Sequence, residues 1–237
     1  VYVSQNTSGG TGVFYTRETG VGTNTFTTPI LVSALNNKIY TEADIAVDRN
    51  GTAHICYVGE NPGDVNKDSV FYTRVTSGGG TISPIKITPD SVVVAFNPSI
   101  AAVKFNGRSI VQPFIAYVSN DLTLNQQDTE IYLIVGDELN ANSFDIPTKL
   151  TDDTLSGEQN LSLDLVEGLN SGNGGTDYLI QGALAFERGN QIFTIMSNAG
   201  SSTTIFFDAP ELLVNTAQSP SLAVQSVFQS PNGYVGH

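Results

Sequence analysis

The chain has 237 residues, of which 40% are hydrophobic and only 14% charged. That length suits one large all-β domain, with a surface built mainly from Ser, Thr, Asn, Gln and Gly. Ten Lys and Arg against 23 Asp and Glu leave a formal charge of -13, which repels phosphate backbones, argues against a nucleic-acid partner and favours hard cations such as calcium as companions. No run reaches the roughly 18 apolar residues of a membrane span. Cys56 is the single cysteine; it excludes a disulfide within the chain, and its apolar strand makes it an inert buried thiol.

The chain opens on Val1-Tyr2-Val3, without an initiator Met or a signal peptide, and reads as a mature or excised segment. A strand at Val13-Phe14-Tyr15-Thr16-Arg17 follows, then Phe26 and Pro29 at the start of another. From Glu42 the pattern is uninterrupted: a short apolar strand (Asp44-Ile45-Ala46-Val47), an Asn50-Gly51 hairpin, a strand from Ala53 to Val58, and a polar loop. A third strand (Val70-Phe71-Tyr72-Thr73-Arg74), a Gly-rich turn at Ser77-Gly78-Gly79-Gly80 and a fourth strand from Ile82 to Thr88 complete it.

The same order recurs. First strands begin at Asp44, Ser99, Ser162 and Ser221, at intervals of 55, 63 and 59 residues, a period long enough for four strands and their turns. Asn-Gly follows each of them, at Asn50-Gly51, Asn106-Gly107, Asn173-Gly174 and Asn232-Gly233. Pro29, Pro84, Pro147 and Pro210 open the fourth strands; a residue without an N–H belongs at the start of an outer edge strand, so each unit runs from an inner strand to an edge strand.

The last unit is cut within its second strand. Joining Tyr234-Val235-Gly236-His237 to Val1-Tyr2-Val3-Ser4 gives a segment that aligns without a gap on Thr52 to Gly59. The expectation is one domain, 1–237, with repeats at 219–237 joined to 1–40, at 41–91, at 92–156 and at 157–218. Its fold is a four-bladed β-propeller of four-stranded antiparallel blades, one split between the termini, with a superhelical array of the same blades as the alternative. Val1, Tyr2, Val3, Tyr234, Val235 and His237 then form a seam that closes within one ring, continues into a longer chain or recruits a second copy.

Asn97-Pro98-Ser99-Ile100-Ala101, Ser219-Pro220-Ser221-Leu222-Ala223 and Phe71-Tyr72-Thr73-Arg74 resemble the blades of sialidase-like bacterial β-propellers. The turn at Thr76 to Ile82 lacks the Asp and Trp of the Asp-box that those blades carry. The resemblance implies a propeller fold. Sialidase chemistry would also need three clustered Arg, a Tyr nucleophile with a Glu partner, and an acidic general acid. Arg17 and Arg74 share one repeat position, Arg49 and Arg108 flank hairpin turns, and Tyr2, Tyr57 and Tyr117 are equally periodic. Such residues read as scaffold, and no catalytic set is assigned.

The sharpest local motif is Asp64-Val65-Asn66-Lys67-Asp68-Ser69. Oxygen ligands at alternate positions of a tight turn suit calcium, with Asp64, Asn66 and Asp68 as the candidate ligands. Asn6, Asn50 and Asn160 stand in glycosylation sequons. The sequence supports an extracellular or cell-surface structural or adhesive module, a subunit or excised repeat of a surface assembly or filament. The alternative is a glycan-binding or glycoside-hydrolase propeller with its site on the axis.

Overall fold

The computed structural model describes residues 1–5, 10–34, 38–61, 64–92, 94–104, 111–120, 129–137, 143–152, 157–169, 178–198, 206–216, 218–222, 229–230 and 233–234. Every regular element among them is a strand, and every pairing is antiparallel. The first sheet holds β1 (Tyr2–Gln5), β2 (Thr11–Tyr15) and β3 (Ile30–Leu31) in that order. The second holds β4 (Tyr40–Val47), β5 (Ala53–Asn61), β6 (Asp64–Val75) and β7 (Ile85–Lys86).

The third runs from β8 (Ala95–Val103) through β9 (Gln112–Asn120) and β10 (Thr129–Val135) to β11 (Thr148–Lys149). The fourth starts with β12 (Glu158–Leu169), β13 (Tyr178–Arg188) and β14 (Gln191–Asn198). Both β15 (Phe206–Phe207) and β16 (Glu211–Val214) pair with β14. A hairpin of β17 (Gln229–Ser230) and β18 (Gly233–Tyr234) stands last. The order within each sheet follows the chain, so the Pro-initiated strands β3, β7, β11 and β16 lie outermost, where a missing N–H interrupts no ladder.

The sheets stack face to face, and strand periodicity shows how. Ile55 and Tyr57 belong to a core shared with Val13 and Val32 of the first sheet, while Cys56 between them belongs to a core shared with Ile100 and Ile115 of the third. Phe114, Ala116 and Val118 of β9 turn the other way, onto Leu163, Leu184 and Phe186 of the fourth sheet. A middle strand covered on both faces is apolar nearly throughout, which explains the unbroken runs at Ala53 to Val58 and Pro113 to Val118. The Cys56 thiol is fully buried, and burial pushes its pKa well up, as an inert thiol requires.

One cross-strand pair is repeated in all four sheets. Tyr2 stacks on Phe14, Tyr57 on Phe71, Tyr117 on Tyr132 and Phe186 on Phe193, with ring centroids 5.5 to 5.8 Å apart. Each pair joins directly opposed residues of neighbouring strands. The register Tyr2↔Phe14 thus corresponds to Tyr57↔Phe71, so β1 holds the second-strand position of its sheet.

The turn at Asn50-Gly51 differs from a two-residue hairpin. The ladder ends at Val47↔Ala53, Asp48 N donates to Thr52 O, and Gly51 N donates to Asp48 O at 2.9 Å. Gly51 alone takes a left-handed φ, of 73°. Asp48 Oδ1 accepts from Asn50 N and Thr52 N at 2.8 and 2.9 Å, and this side-chain cap selects the wider turn. The pairs at 106–107 and 173–174, and Asn232, lie outside the described residues.

Candidate functional site

The site is built from the inner strands. β4, β8 and β12 each lie at one edge of their sheet, and β8 contacts both of the others. Each carries a bulge at the same place, between Tyr40 and Ala43, between Phe96 and Ser99, and between Gln159 and Ser162. Asn97 and Asn160 sit in the last two with φ of 48° and 52°, and Ser219, one repeat further on, has φ 54°. Asn tolerates this region better than other side chains because its amide bonds locally.

The bulge turns each backbone N–H out of its own ladder toward the preceding unit. Glu42 accepts from Asn97 N, and Asn97 Oδ1 accepts from Asn160 N at 2.9 Å. At the next step Glu187 Oε2 accepts from Ser219 N at 3.2 Å and from Asn160 Nδ2 at 2.8 Å, while Oε1 accepts from Gln159 Nε2 at 2.9 Å. These bonds, that from Asn160 foremost, hold the Glu187 carboxyl below its ordinary pKa.

A second series runs two residues deeper. Asp44 Oδ2 accepts from Ser99 Oγ at 3.0 Å and Ile100 N at 2.9 Å; Ser99 Oγ in turn accepts from Leu163 N at 3.0 Å, and Ser162 Oγ accepts from Leu222 N at 2.9 Å. Each successive unit is therefore linked twice to the one before it, each time by a polar side chain accepting from the backbone of the next inner segment. Three of these residues, Asp44, Ser99 and Ser162, are the first-strand signature that the sequence displays as a repeat. Their bridging role shows only when the strands stand side by side.

Between the strands lies a cavity of about 460 Å³, bordered by residues 44–47, 99–102, 162–165 and 221–222. That falls in the ~300–1,000 Å³ range of small-molecule sites. An inner strand at a sheet edge has one row of N–H and C=O groups without a ladder partner; the N–H groups of Ile45, Ile100, Leu163 and Leu222 are taken by Asp44, Ser99 and Ser162, and the other groups of these edges face the space. Two carboxylates border it, those of Asp44 and Asp164. Asp44 is committed to the bonds above, and its Oδ1 accepts from Ile45 N at 2.8 Å.

The other buried carboxylates are engaged as well. Glu158 Oε1 accepts from Arg188 Nε and Nη2 at 3.0 and 2.6 Å, and its Oε2 accepts from Thr129 Oγ1 at 2.7 Å. Arg188 lies over the rings of Phe186 and Phe193. Glu130 Oε2 accepts from Thr151 Oγ1 at 2.6 Å, with Lys149 Nζ 3.3 Å from Oε1; burial pushes its pKa up, against the pull of Thr151 and Lys149. Neither residue borders this cavity.

The candidate calcium ligands fall on a strand. β6 begins at Asp64 and pairs Asn61 with Asp64 and Glu60 with Asp68, with a register shift between the two pairs. The side chains of 64–67, those of the candidate ligands Asp64 and Asn66 among them, lie outside the described residues. Burial and the neighbouring Glu60 raise the Asp68 carboxyl pKa. Among the described residues no group of three His, Cys, Asp or Glu is placed to hold a metal ion.

Of the seam residues, Val1, Tyr2 and Val3 are described and pack with the first sheet, Tyr234 is placed in β18 by its backbone, and Val235 and His237 lie outside the described residues. Arg17 reaches the carbonyl of Ser77 in the next unit. No helix is long and apolar enough to cross a membrane.

No family model matches the chain, and no curated protein matches it in sequence. Among solved structures it is similar to the alpha-L-arabinanase of Penicillium chrysogenum, determined in complex with arabinobiose. The TM-score is 0.56 and the identity 11%, over 98% of this chain and 63% of that one. The chain thus spans less than two thirds of that protein. At this identity the likeness is one of fold, and together with the four stacked sheets it establishes an all-β, propeller-type architecture.

Proposed function

We propose that this protein is a glycan-binding propeller whose site is the axial cavity. The observation that carries the reading is the convergence of the inner-strand edges on one cavity of about 460 Å³. Sugar hydroxyls both donate and accept, and they match alternating backbone N–H and C=O groups better than a single charged group does. The solved arabinanase of similar fold holds arabinobiose, which fits a sugar ligand of the same general size.

Binding is favoured over cleavage because Asp44 spends its lone pairs on the scaffold. Asp164, the other acidic residue at the border, is engaged as well, whereas hydrolysis ordinarily uses a pair of carboxylates free to act. The sialidase-like kinship rests on the repeat residues, and an extracellular or cell-surface setting on the polar, weakly charged composition. Isothermal titration against a panel of neutral oligosaccharides tests the reading, with Asp164→Ala as the variant that removes a polar group from the cavity wall.

Self-association is the second reading. All four residues of β16 are exposed, with Leu213 at 62%, and Met196 on the neighbouring strand is exposed as well. An apolar outermost strand is a template for another strand.

A further inference from the structure

A histidine opposed to an arginine points to a second site. Three residues before the stacked aromatic pair, the register opposes Phe114 to Val135 in the third sheet and Ala183 to Met196 in the fourth. In the second sheet the same place opposes His54 to Arg74. Arg17 holds the place of Arg74 in the first sheet and reaches the Ser77 carbonyl, so the imidazole facing Arg74 is what sets the second sheet apart.

His54 is buried and held on both sides, with Nδ1 2.8 Å from the Tyr72 hydroxyl and Nε2 3.4 Å from Asp48 Oδ2. The other Asp48 oxygen accepts two backbone N–H groups. The Asp48 carboxylate is thereby occupied, and Arg74 makes no side-chain hydrogen bond or ion pair with a described residue. A cavity of about 190 Å³ opens at this point, walled by Asp48, Asn50, Thr52, His54, Arg74 and Thr76, with Val111 from the next unit as its apolar side. It lies at the hairpin end of the second sheet, away from the bulges, and has the liquid volume of roughly six waters.

We propose that this pocket binds a small hydroxylated monocarboxylate. The planar guanidinium of Arg74 matches a carboxylate through two parallel hydrogen bonds. The Asn50 amide and the Thr52 and Thr76 hydroxyls receive the ligand's other polar groups. Asp48 on the facing wall repels a second negative charge, which selects a monoanion over phosphate. Tyr72 and Asp48 act through His54, which they fix as a rigid wall.

The test is an NMR titration of the whole chain with D-glucuronate, with D-glucose as the neutral counterpart of the same size. Glucuronate should bind saturably and glucose much more weakly. Arg74→Gln should weaken glucuronate by about tenfold or more, the usual worth of a charge-assisted pair, while Asp164→Ala in the axial cavity leaves it unchanged. Thr76→Val, at an exposed turn, gives a second reading that does not depend on how Arg74→Gln folds, with a loss of about threefold. Unchanged affinity in both pocket variants, equal binding of glucose, loss of binding in Asp164→Ala, or no saturable glucuronate binding would each overturn the proposal.

Discussion

Asp44 shows how much one side chain contributes here. Its carboxylate joins two sheets through Ser99 Oγ and Ile100 N. Asp44→Ala leaves the Ile100 N–H without its acceptor and should cost about 2 kcal/mol in chemical denaturation. Asp44→Ser should cost less than the alanine variant, since Ser162 makes the equivalent bond to Leu222. Equal losses would mean that the bond between strands contributes nothing.

His54 gives a pH dependence with a definite sign. Burial lowers its pKa in the folded state, against the pull of Asp48 and with a smaller push from Arg74. The unfolded chain therefore takes up the proton first, near the ordinary value of about 6.5. Stability from this residue is complete above that pH and falls as the pH drops through it toward the folded pKa. Melting temperatures of the wild type should decline between about pH 7 and pH 5, before ordinary carboxylates titrate near 4. His54→Gln should show a shallower decline, and parallel curves would contradict the assignment.

At the scale of elements, the stacked aromatic pairs mark the register of every sheet, but their burial differs. Phe186 is 0% exposed and Tyr2 42%. Phe186→Ala should cost about 3–5 kcal/mol in chemical denaturation, and Tyr2→Ala no more than half of that; similar values would contradict this difference in packing. The stacking on opposed rings depends on strand register and was not legible in the sequence, whereas the periodicity of Tyr2, Tyr57 and Tyr117 was, because aromatic residues at a fixed distance from a turn are a local signal. The outer position of the Pro-initiated strands was legible for the same reason, as was the burial of Cys56.

The bulges and the bonds they enable were not. Asn97, Asn160 and Ser219 stand out as repeated polar residues before an apolar run, but their φ values and their acceptors one unit away depend on how neighbouring sheets curve together. The Asp64 segment reads two ways: its alternating oxygens suit a calcium turn, and the same period of two suits a strand, which is how its backbone pairs with β5. The opposition of His54 and Arg74 was hidden until the register was known.

Among the described residues of the whole molecule, three cores between the four larger sheets define the stack, and two hydrogen-bonded series tie its inner edges. The proposed self-association would run through the exposed β16. Leu213→Lys should lower self-association in light scattering without lowering the melting temperature, because Leu213 is already solvated; unchanged scattering in an associating wild type would place the contact elsewhere.

The axial cavity carries the functional claim, and isothermal titration of neutral oligosaccharides into the wild type and Asp164→Ala tests it most directly. The account predicts saturable binding of at least one oligosaccharide, weakened about tenfold in the variant, with Arg74→Gln binding as the wild type does. Absence of binding across the panel, or equal binding by wild type and Asp164→Ala, would contradict it.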